Sequence, residues 1–353
     1  MVYTKDTRPV RKGEELDGGK IERFLRENMD VPSGDLNVRQ FGAGHSNLTY
    51  ELSVGEKWKV VLRRPPMGPV APKAHDMERE FRVLQSLHPV FPLAPKPHLY
   101  ESGKLLGRPF FIMERREGLV FDQTFPEEVE ESYQLGRELS ETMVDRLVEL
   151  HSIDYRKTAL KDMVKPEGFM ERQVHGWIKR YDRARTEDVV SGERLKKWLL
   201  DHIPESEEAS IIHYDYKLNN ALFNKEEPAR MVGLFDWEMT TVGAPLADLG
   251  AAMSYWIQKD DPELLQTGLG KAPVTVKEGF YTREEFIQRY AEKSGRDTSE
   301  INFYLTFAYF KLAGIVQQIY YRYKQGQTAD QRFSGMNIFV NNLTTHAEDT
   351  AGL

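Results

Sequence analysis

The spacing of apolar residues changes character near residue 118 of the chain. Upstream, apolar residues first recur at helical spacing and then follow strand patterns, as in the alternating NLTYELS and in WKVVLRR. This pattern predicts, in chain order, a helix over 20–29, strands over 36–64, a helix over 75–87, and strands over 97–101 and 108–113. Downstream the pattern is mostly helical, apart from a strand-rich stretch over 211–237, and the tail after Asn342 is expected to fray.

This order of elements predicts an α+β, two-lobed architecture. At roughly 150 residues per domain, a chain of 353 residues is long enough for two domains. A small β-rich lobe with one helix precedes a larger helical lobe, and the alternating strands and helices of a doubly wound sheet do not fit. The expected parts are an N-terminal helical extension over 1–35, a β-rich N-lobe with one helix over 36–113, a hinge over 114–118 and a helical C-lobe over 119–353.

Composition and charge exclude several classes of protein. The net charge of −7 argues against a general nucleic-acid binder, because no basic surplus is available to neutralise phosphates. The absence of cysteine excludes a disulfide scaffold, a thiolate metal site and a cysteine nucleophile. The N-terminal residues are polar, and no apolar stretch is long enough to span a membrane, so a soluble cytoplasmic protein is expected.

The stretch IIHYDYKLNNALFN carries the strongest chemical signal. Its apolar flanks deliver His213, Asp215 and Asn220 to one loop, and farther along MVGLFDWE places Asp236 at the end of another short strand. One carboxylate can orient and deprotonate a hydroxyl, while an amide and a second carboxylate supply oxygen ligands to Mg²⁺. The pattern indicates Mg²⁺-dependent phosphoryl transfer, with Asp215 as base, Asn220 and Asp236 as metal ligands, and His213 bracing the loop. The alternative is a solvated turn, where Asp and Asn are common.

These motifs resemble those of a known family. HYDYKLNN resembles the HxDxxxxN loop of the aminoglycoside phosphotransferase and choline-kinase-like enzymes, relatives of the protein kinases, and FDWEMTTVGAPLADLG resembles their metal-binding segment. VLRRPP, FKLAGIVQQIYYRYKQG and DWE are similar to the branch that also occurs fused to acyl-CoA dehydrogenases. The resemblance implies a protein-kinase-like fold that binds Mg²⁺ and ATP between its lobes and phosphorylates a hydroxyl of a small molecule.

Two upstream segments fit the binding of ATP phosphates. In QFGAGHSN, Gly42 and Gly44 allow a tight turn whose amides, together with Ser46, are expected to cover the phosphates. WKVVLRR presents Val61 and Arg63 on one face of a strand, and the resemblance places Arg63 where protein kinases carry a lysine. Because a guanidinium can hold phosphates bidentately, Arg63 is the expected anchor. The alternative is an arginine on the surface of an edge strand.

The following helix supplies a carboxylate for this cation. MEREFRVLQSL repeats apolar residues every three or four positions, and Glu80 lies on that apolar face whereas Glu78 lies on the polar face. A carboxylate on an apolar face needs a partner. Glu80 is therefore predicted to pair with Arg63 and to help order the nucleotide; otherwise it flanks the stripe and reaches water.

The resemblance implies further roles. Met113 would lie beside the adenine ring, and the carbonyl of Glu114 and the amide of Arg116 would pair with its edge. Asp248 in PLADLG is expected to brace the catalytic loop from the start of a helix, and His151 is expected to be structural.

The acceptor is expected to bind in the C-lobe. The run over 301–326 carries Lys311, Arg322 and Lys324 and no carboxylate, whereas a site for polycationic aminoglycosides needs several carboxylates. Aromatic residues recur on one face of the same run, at Phe303, Phe307 and Phe310. An aromatic groove beside basic residues predicts an anionic acceptor with an apolar part, such as a hydroxyacyl thioester of coenzyme A, which the dehydrogenase-fused relatives also imply. The alternative is that the aromatic stripe is core.

Two other functions stay open on the sequence alone. An aminoglycoside O-phosphotransferase is the rival within the family, and a nucleotide-binding pseudokinase module is the rival from another class. All the expected polar residues except the lysine are present, which favours an active enzyme whose partners are ATP and a small-molecule hydroxyl acceptor.

Overall fold

The computed structural model describes residues 6–42, 47–67, 75–205, 208–268, 270–328 and 330–353. These residues form two compact units. The first takes its residues from Met1–Glu117 and Val232–Glu238, and the second from Gly118–Met231 and Met239–Leu353. The sequence had placed 232–238 in the C-lobe, whereas in the structure this segment belongs to the first unit. The hinge over 114–118 stays a prediction.

The first unit is built on a six-stranded antiparallel sheet with the strand order β1-β2-β3-β4-β6-β5. Its strands are β1 (Thr7–Arg8), β2 (Leu36–Phe41), β3 (Leu48–Val54), β4 (Trp58–Arg64), β5 (Pro97–Glu101) and β6 (Phe110–Glu114). Its helices are α1 (Gly18–Asn28) and α2 (Met77–Leu87). The strand and helix predictions for this part are confirmed, except that β1 was missed because two residues carry no periodicity.

The N-terminal residues are part of the first unit's core. Ile21 and Leu25 of α1 are fully buried in the same cluster as Tyr50 and Leu62 of the sheet. Asp17 begins α1, because its side chain accepts a hydrogen bond from the Lys20 amide at 3.1 Å. Helix α1, which lies within the predicted extension, therefore packs on the sheet, and removing it would expose the cluster.

The second unit is mainly helical. Its helices are α3 (Tyr133–Ser152), α4 (Phe169–Ala184), α5 (Glu193–Asp201), α6 (Pro245–Tyr255), α7 (Glu263–Thr267), α8 (Arg283–Ser294), α9 (Ile301–Lys324) and α10 (Met336–Ala351). Its short strands are β7 (Ser210–Ile212), β8 (Ala221–Phe223) and β10 (Thr241–Gly243), while β9 (Met231–Leu234) runs from this unit into residues of the first. Among the helices of the described ranges, none is long and apolar enough to cross a membrane.

The C-terminal residues form an ordered helix, so the expected fraying after Asn342 is wrong. Leu343 and Ala347 of α10 are fully buried, and α10 packs along α9. Val340, Leu343 and Ala347 recur three and four residues apart, which defines an apolar face. The polar residues between them disguised this face in the sequence.

Candidate functional site

In the first unit, one arginine joins two carboxylates. Arg63 on β4 donates from Nε to Glu80 Oε2 at 3.1 Å and from Nη2 to Asp236 Oδ1 at 2.6 Å. Strand β4 lies between β3 and β6, where Arg63 is opposite Thr49 and Phe111. The predicted ion pair of Arg63 with Glu80 is present, and the structure adds Asp236 to it. Three of the predicted site residues thus meet at one guanidinium.

Burial controls the charges in this network. Burial raises the pKa of Glu80 to about 7, against the lowering effect of Arg63. Burial also acts to lower the pKa of Arg63, but Glu80 and Asp236 together raise it above its ordinary value. Arg63 therefore stays charged at every accessible pH. Glu80 is only 2% exposed, and the charge of Arg63 favours the ionised form of its carboxyl group.

The segment after β9 is held in a strained conformation. Asp236 has φ of +66°, a left-handed geometry that is uncommon for a residue with a side chain. Trp237 fixes the segment, since its Nε1 donates to the Leu234 carbonyl at 2.7 Å and its buried ring packs edge-on against Phe91. Glu238 accepts a hydrogen bond from Asn47 Nδ2 at 3.0 Å, so it is tied within this unit. The sequence offered no signal for Asn47.

The other predicted nucleotide residues lie partly outside the described ranges. Gly42 follows β2, and its amide donates to the Asp6 carbonyl at 3.2 Å, but Gly44 and Ser46 fall outside the described residues. Met113 and Glu114 end β6, and the Glu114 amide donates to the Lys96 carbonyl at 2.8 Å.

Arg116 follows this strand and anchors it to its surroundings. Its guanidinium donates to the carbonyls of Leu93 and Val232 at 3.0 and 2.8 Å and pairs with Glu114 at 2.9 Å. The roles predicted for these residues toward adenine stay predictions.

In the second unit, the loop that contains Asp215 is held by a buried aspartate. Strands β7 and β10 pair antiparallel, and the loop after β7 turns at Tyr214, whose φ is +66°. Asp248 near the start of α6 accepts hydrogen bonds from the amides of His213 at 2.6 Å and Tyr214 at 2.8 Å. His151 Nε2 lies 3.1 Å from the same carboxylate. The expectation that Asp248 braces the loop is confirmed, and His151 is buried beside it.

Burial by itself raises the pKa of Asp248, but the hydrogen bond and charge of His151, with the loop amide, hold it below its ordinary value. The carboxylate is thus ionised while fully buried. Its hydrogen bonds compensate for the lost hydration and fix the strained turn.

Replacing Asp248 by alanine should therefore destabilise the protein by about 3–5 kcal/mol, because two amides and a histidine lose their buried partner. The lowered pKa of Asp248 means that its contribution is present above its ordinary pKa and is lost as the pH falls through the folded value. The midpoint of urea unfolding measures this. Asp162→Ala, an exposed position in the same unit, is the control and should change stability by less than about 0.5 kcal/mol. Equal midpoints for the two variants would contradict the bracing role.

Asp215 lies directly after this turn and is 8% exposed. Asn220 Nδ2 donates to the Asp215 carbonyl at 2.9 Å and to Oδ2 at 3.0 Å, and Lys217 Nζ lies 3.0 Å from the same Oδ2. The short 3₁₀ turn Leu218–Asn220 brings the amide back to the carboxylate. Lys217 was missed as a site residue, although it stands within the motif two positions after Asp215.

The long helix α9 does not form the predicted aromatic groove. Its stripe of phenylalanines is buried in the core, at Phe303, Phe307 and Phe310. Arg322 and Lys324 are exposed near its C-terminal end, where Lys324 Nζ lies 3.8 Å from Asp188. The core interpretation, left open by the sequence, is therefore correct for the stripe.

Lys311 of the same helix points inward and is 4% exposed. Its ammonium group lies 3.3 Å from the centroid of the Tyr214 ring and 3.4 Å from the Tyr214 carbonyl. Burial lowers the pKa of Lys311 to about 7. This lysine therefore belongs to the surroundings of the loop that contains Asp215, and its pKa leaves it partly uncharged at neutral pH.

Comparison with known proteins gives consistent relatives. The model of the family described as "Phosphotransferase enzyme family" matches residues 37–272. Acyl-CoA dehydrogenase family member 11 of Gallus gallus is 33% identical over 339 residues, which are 93% of this chain and 43% of that protein. The chain thus spans less than half the length of this curated relative.

Solved structures agree on the fold. A Ralstonia eutropha protein, provisionally assigned as an aminoglycoside phosphotransferase, superposes with a TM-score of 0.80 at 28% identity, covering 96% of this chain and 99% of that one. Choline kinase from Cryptosporidium parvum superposes with a TM-score of 0.62 at 13% identity, covering 95% of each chain. These matches confirm the α+β, two-lobed, kinase-like fold and the resemblance inferred from the motifs.

Proposed function

This chain belongs to the phosphotransferase enzyme family, and we propose that it is an ATP-dependent kinase that transfers the γ-phosphoryl group to a hydroxyl of a small metabolite. Phosphoryl transfer to an alcohol is the activity class of the family. ATP as donor, the acceptor and the roles of individual residues are the proposed parts. A cytoplasmic location also stays a prediction.

The arrangement around Asp215 carries the proposal. Among the described residues, the polar contacts of its carboxylate, from Asn220 and Lys217, are made to Oδ2. The other oxygen, Oδ1, keeps its lone pairs for the proton of an acceptor hydroxyl. A base that is oriented in this way needs no rearrangement before it accepts the proton.

Lys217 has a second role in this proposal. Its ammonium group lies beside the base and also 4.9 Å from the Tyr255 ring centroid, so two contacts fix its position. A cation at this place stabilises the negative charge of the phosphoryl group as it reaches the acceptor oxygen.

Asn220 and Asp236 fit the role of magnesium ligands. The side-chain hydrogen bonds of Asn220 within the described residues both start from Nδ2, which leaves Oδ1 for a cation. The described residues contain no group of three or more His, Cys, Asp or Glu side chains placed to hold a metal. Mg²⁺ in kinases is bound by only one or two protein oxygens together with phosphates, so an oxygen from each of these side chains is the type of ligand it takes. When bound, Mg²⁺ neutralises charge on the phosphates.

We assign the phosphate-anchoring role to Arg63, ordered by Glu80, since its guanidinium lies between Glu80 and Asp236. The loop containing Gly42, Gly44 and Ser46 is proposed to cover the phosphates. Met113, Glu114 and Arg116 are proposed to receive the adenine ring through backbone groups.

For the acceptor, we propose a hydroxyacyl-CoA-like compound. The curated relative is named as an acyl-CoA dehydrogenase family member, so its name points to acyl thioesters, and a hydroxyl on the acyl chain would be the group that accepts the phosphoryl group. An aminoglycoside acceptor is the alternative supported by the Ralstonia relative.

The proposal predicts acceptor-dependent ATP turnover in the presence of Mg²⁺. The test measures ADP formation against hydroxyacyl-CoAs, kanamycin-type aminoglycosides, choline and homoserine. Turnover above the acceptor-free rate with one class identifies the acceptor. If no compound raises turnover and calorimetry detects no ATP binding, the kinase assignment fails; ATP binding without turnover would favour a pseudokinase module.

A further inference from the structure

A cavity of about 350 Å³ lies in the second unit, beside the catalytic loop. Its wall is formed by α4, by the segment just before α4, by the loop residue Tyr214, and by Met239 and Thr241. This volume is at the lower end of the range for ligand pockets, roughly 300–1,000 Å³. The cavity therefore accommodates a small acceptor or one part of a larger one.

The cavity adjoins the proposed base. Tyr214 is the residue before Asp215, and its side chain forms part of the wall. Its hydroxyl lies 3.4 Å from Gln173 Oε1 on α4, and its ring packs edge-on against Phe169. A molecule in the cavity is thus in contact with the residue that positions Asp215.

The charged side chains that line the cavity are all basic. They are Lys165, Arg172 and Arg180. In the described part of the chain, no carboxylate oxygen lies within 4.0 Å of the side-chain nitrogens of these three residues. The protein as a whole nevertheless carries a net charge of −7. Most other arginines of the second unit, such as Arg283 with Asp261, are paired with acids. The positive charge of the cavity is therefore not neutralised from within the protein.

Two of these cations are held in place without losing their charge. Arg172 donates to the carbonyls of Lys165 and Glu167, which fixes the turn before α4. Arg180 lies over the Trp177 ring, 4.8 Å from its centroid. Carbonyl and aromatic partners orient a guanidinium but do not cancel its charge.

We propose that this cavity is the acceptor site and that it selects acceptors carrying an anionic group, a phosphate or a carboxylate, which Arg172 and Arg180 bind. Phe169 and Trp177 then contact an apolar part of the acceptor, and its hydroxyl reaches Asp215. This inference rests on the proposed kinase function for its biological meaning, but the binding it predicts does not require turnover. A polycationic acceptor is disfavoured, since it would meet unpaired like charges.

The first test measures binding without catalysis. Isothermal titration calorimetry of the full chain with 3-hydroxybutyryl-CoA, 3-hydroxybutyrate and choline separates a phosphate-bearing anion, a carboxylate and a cation. We expect one or both anions to bind and choline not to bind. Preference for the thioester over the free acid assigns the anionic group to phosphate, and the reverse assigns it to carboxylate. Binding of choline alone, or of none of the three, would overturn the inference.

The second test removes the charge. Arg180→Gln should weaken binding of the anion about 10-fold or more, as expected for the loss of a charge-assisted hydrogen bond, and Arg180→Lys should recover part of it. Arg183→Gln on the same helix, exposed and outside the cavity wall, is the matched control and should bind as the wild type does. Anion binding that is equal in Arg180→Gln and wild type would overturn the assignment of the cavity.

The two proposals can fail separately. Charge-dependent anion binding without any turnover or ATP binding contradicts the kinase function and leaves the cavity assigned as an anion-binding site. The opposite outcome is acceptor-dependent turnover with a KM for the acceptor that is the same in Arg172→Gln, Arg180→Gln and wild type. That result would contradict the cavity assignment and support the kinase function.

Discussion

Replacing Asp215 by asparagine is expected to lower kcat by roughly 10²–10⁴-fold while the KM for ATP changes little. Asparagine preserves the size of the side chain and can still accept from Asn220 and Lys217, which contact Oδ2 in the wild type. It cannot accept the proton of the acceptor hydroxyl. The loss therefore falls on the chemical step, and single-turnover measurements of ADP formation with saturating ATP report it.

The control for this variant is Asp122→Asn. Asp122 accepts a hydrogen bond from Asn219 at 3.0 Å, so it contacts the same loop without belonging to the proposed base. Both variants should unfold at nearly the wild-type temperature, and Asp122→Asn should keep kcat within a few-fold. A kcat for Asp215→Asn that stays within a few-fold of wild type would remove the general-base role from Asp215.

The sequence predicted the sheet and the first helices well because their apolar residues follow clear local patterns. NLTYELS alternates apolar and polar residues and WKVVLRR carries a short apolar run, and the structure pairs them as the largely buried strands β3 and β4. The tail was misjudged for the opposite reason: α10 gains its stability from packing on α9, which a local pattern does not report. Arg64 shows the same limit. Its place at the end of WKVVLRR gives no signal of burial, yet it is 5% exposed and donates to the Tyr50 hydroxyl at 3.0 Å.

In the candidate site too, local patterns predicted some contacts and missed others. Spacing within one loop predicted that Asn220 and Asp215 lie together, and the apolar face of α2 predicted the pairing of Glu80 with Arg63. Asn47 depends on a contact with Glu238, far along the chain, which no local pattern could reveal. The basic cavity was also missed, because its charges come from α4 and the segment before it rather than from α9, where the sequence placed them.

Removing the guanidinium of Arg63 should be the most damaging change in the first unit. Arg63→Met leaves Glu80, which is 2% exposed, without its ion-pair partner. It also removes the hydrogen bond that Arg63 donates to Asp236. We expect a loss of about 3–5 kcal/mol in the free energy of unfolding, since buried Glu80 must either stay charged without a partner or take up a proton, and Asp236 loses a hydrogen bond. Urea unfolding measures it, and ATP affinity should fall in the same variant. Lys59→Met on the same strand, which removes only a partly exposed ion pair with Glu117, should cost no more than about 1 kcal/mol.

The pH dependence of the stability loss, and a second substitution of Arg63, identify why Arg63→Met is less stable. Burial already raises the pKa of Glu80 to about 7, and loss of Arg63 removes the main effect that lowers it. Glu80 then holds its proton in the folded variant and releases it on unfolding, so the deficit of Arg63→Met should grow as the pH rises from 6 to 8. Arg63→Met with Glu80→Gln should recover stability and lose this dependence. A stability deficit that is independent of pH and unrelieved by Glu80→Gln would show that the loss of packing dominates.

Arg63→Lys keeps the charge, but a single ammonium group replaces a guanidinium that donates to Glu80 and Asp236 from separate nitrogens. Intermediate stability and lower turnover are therefore expected. Higher turnover in that variant would instead identify Arg63 as a degenerate anchor.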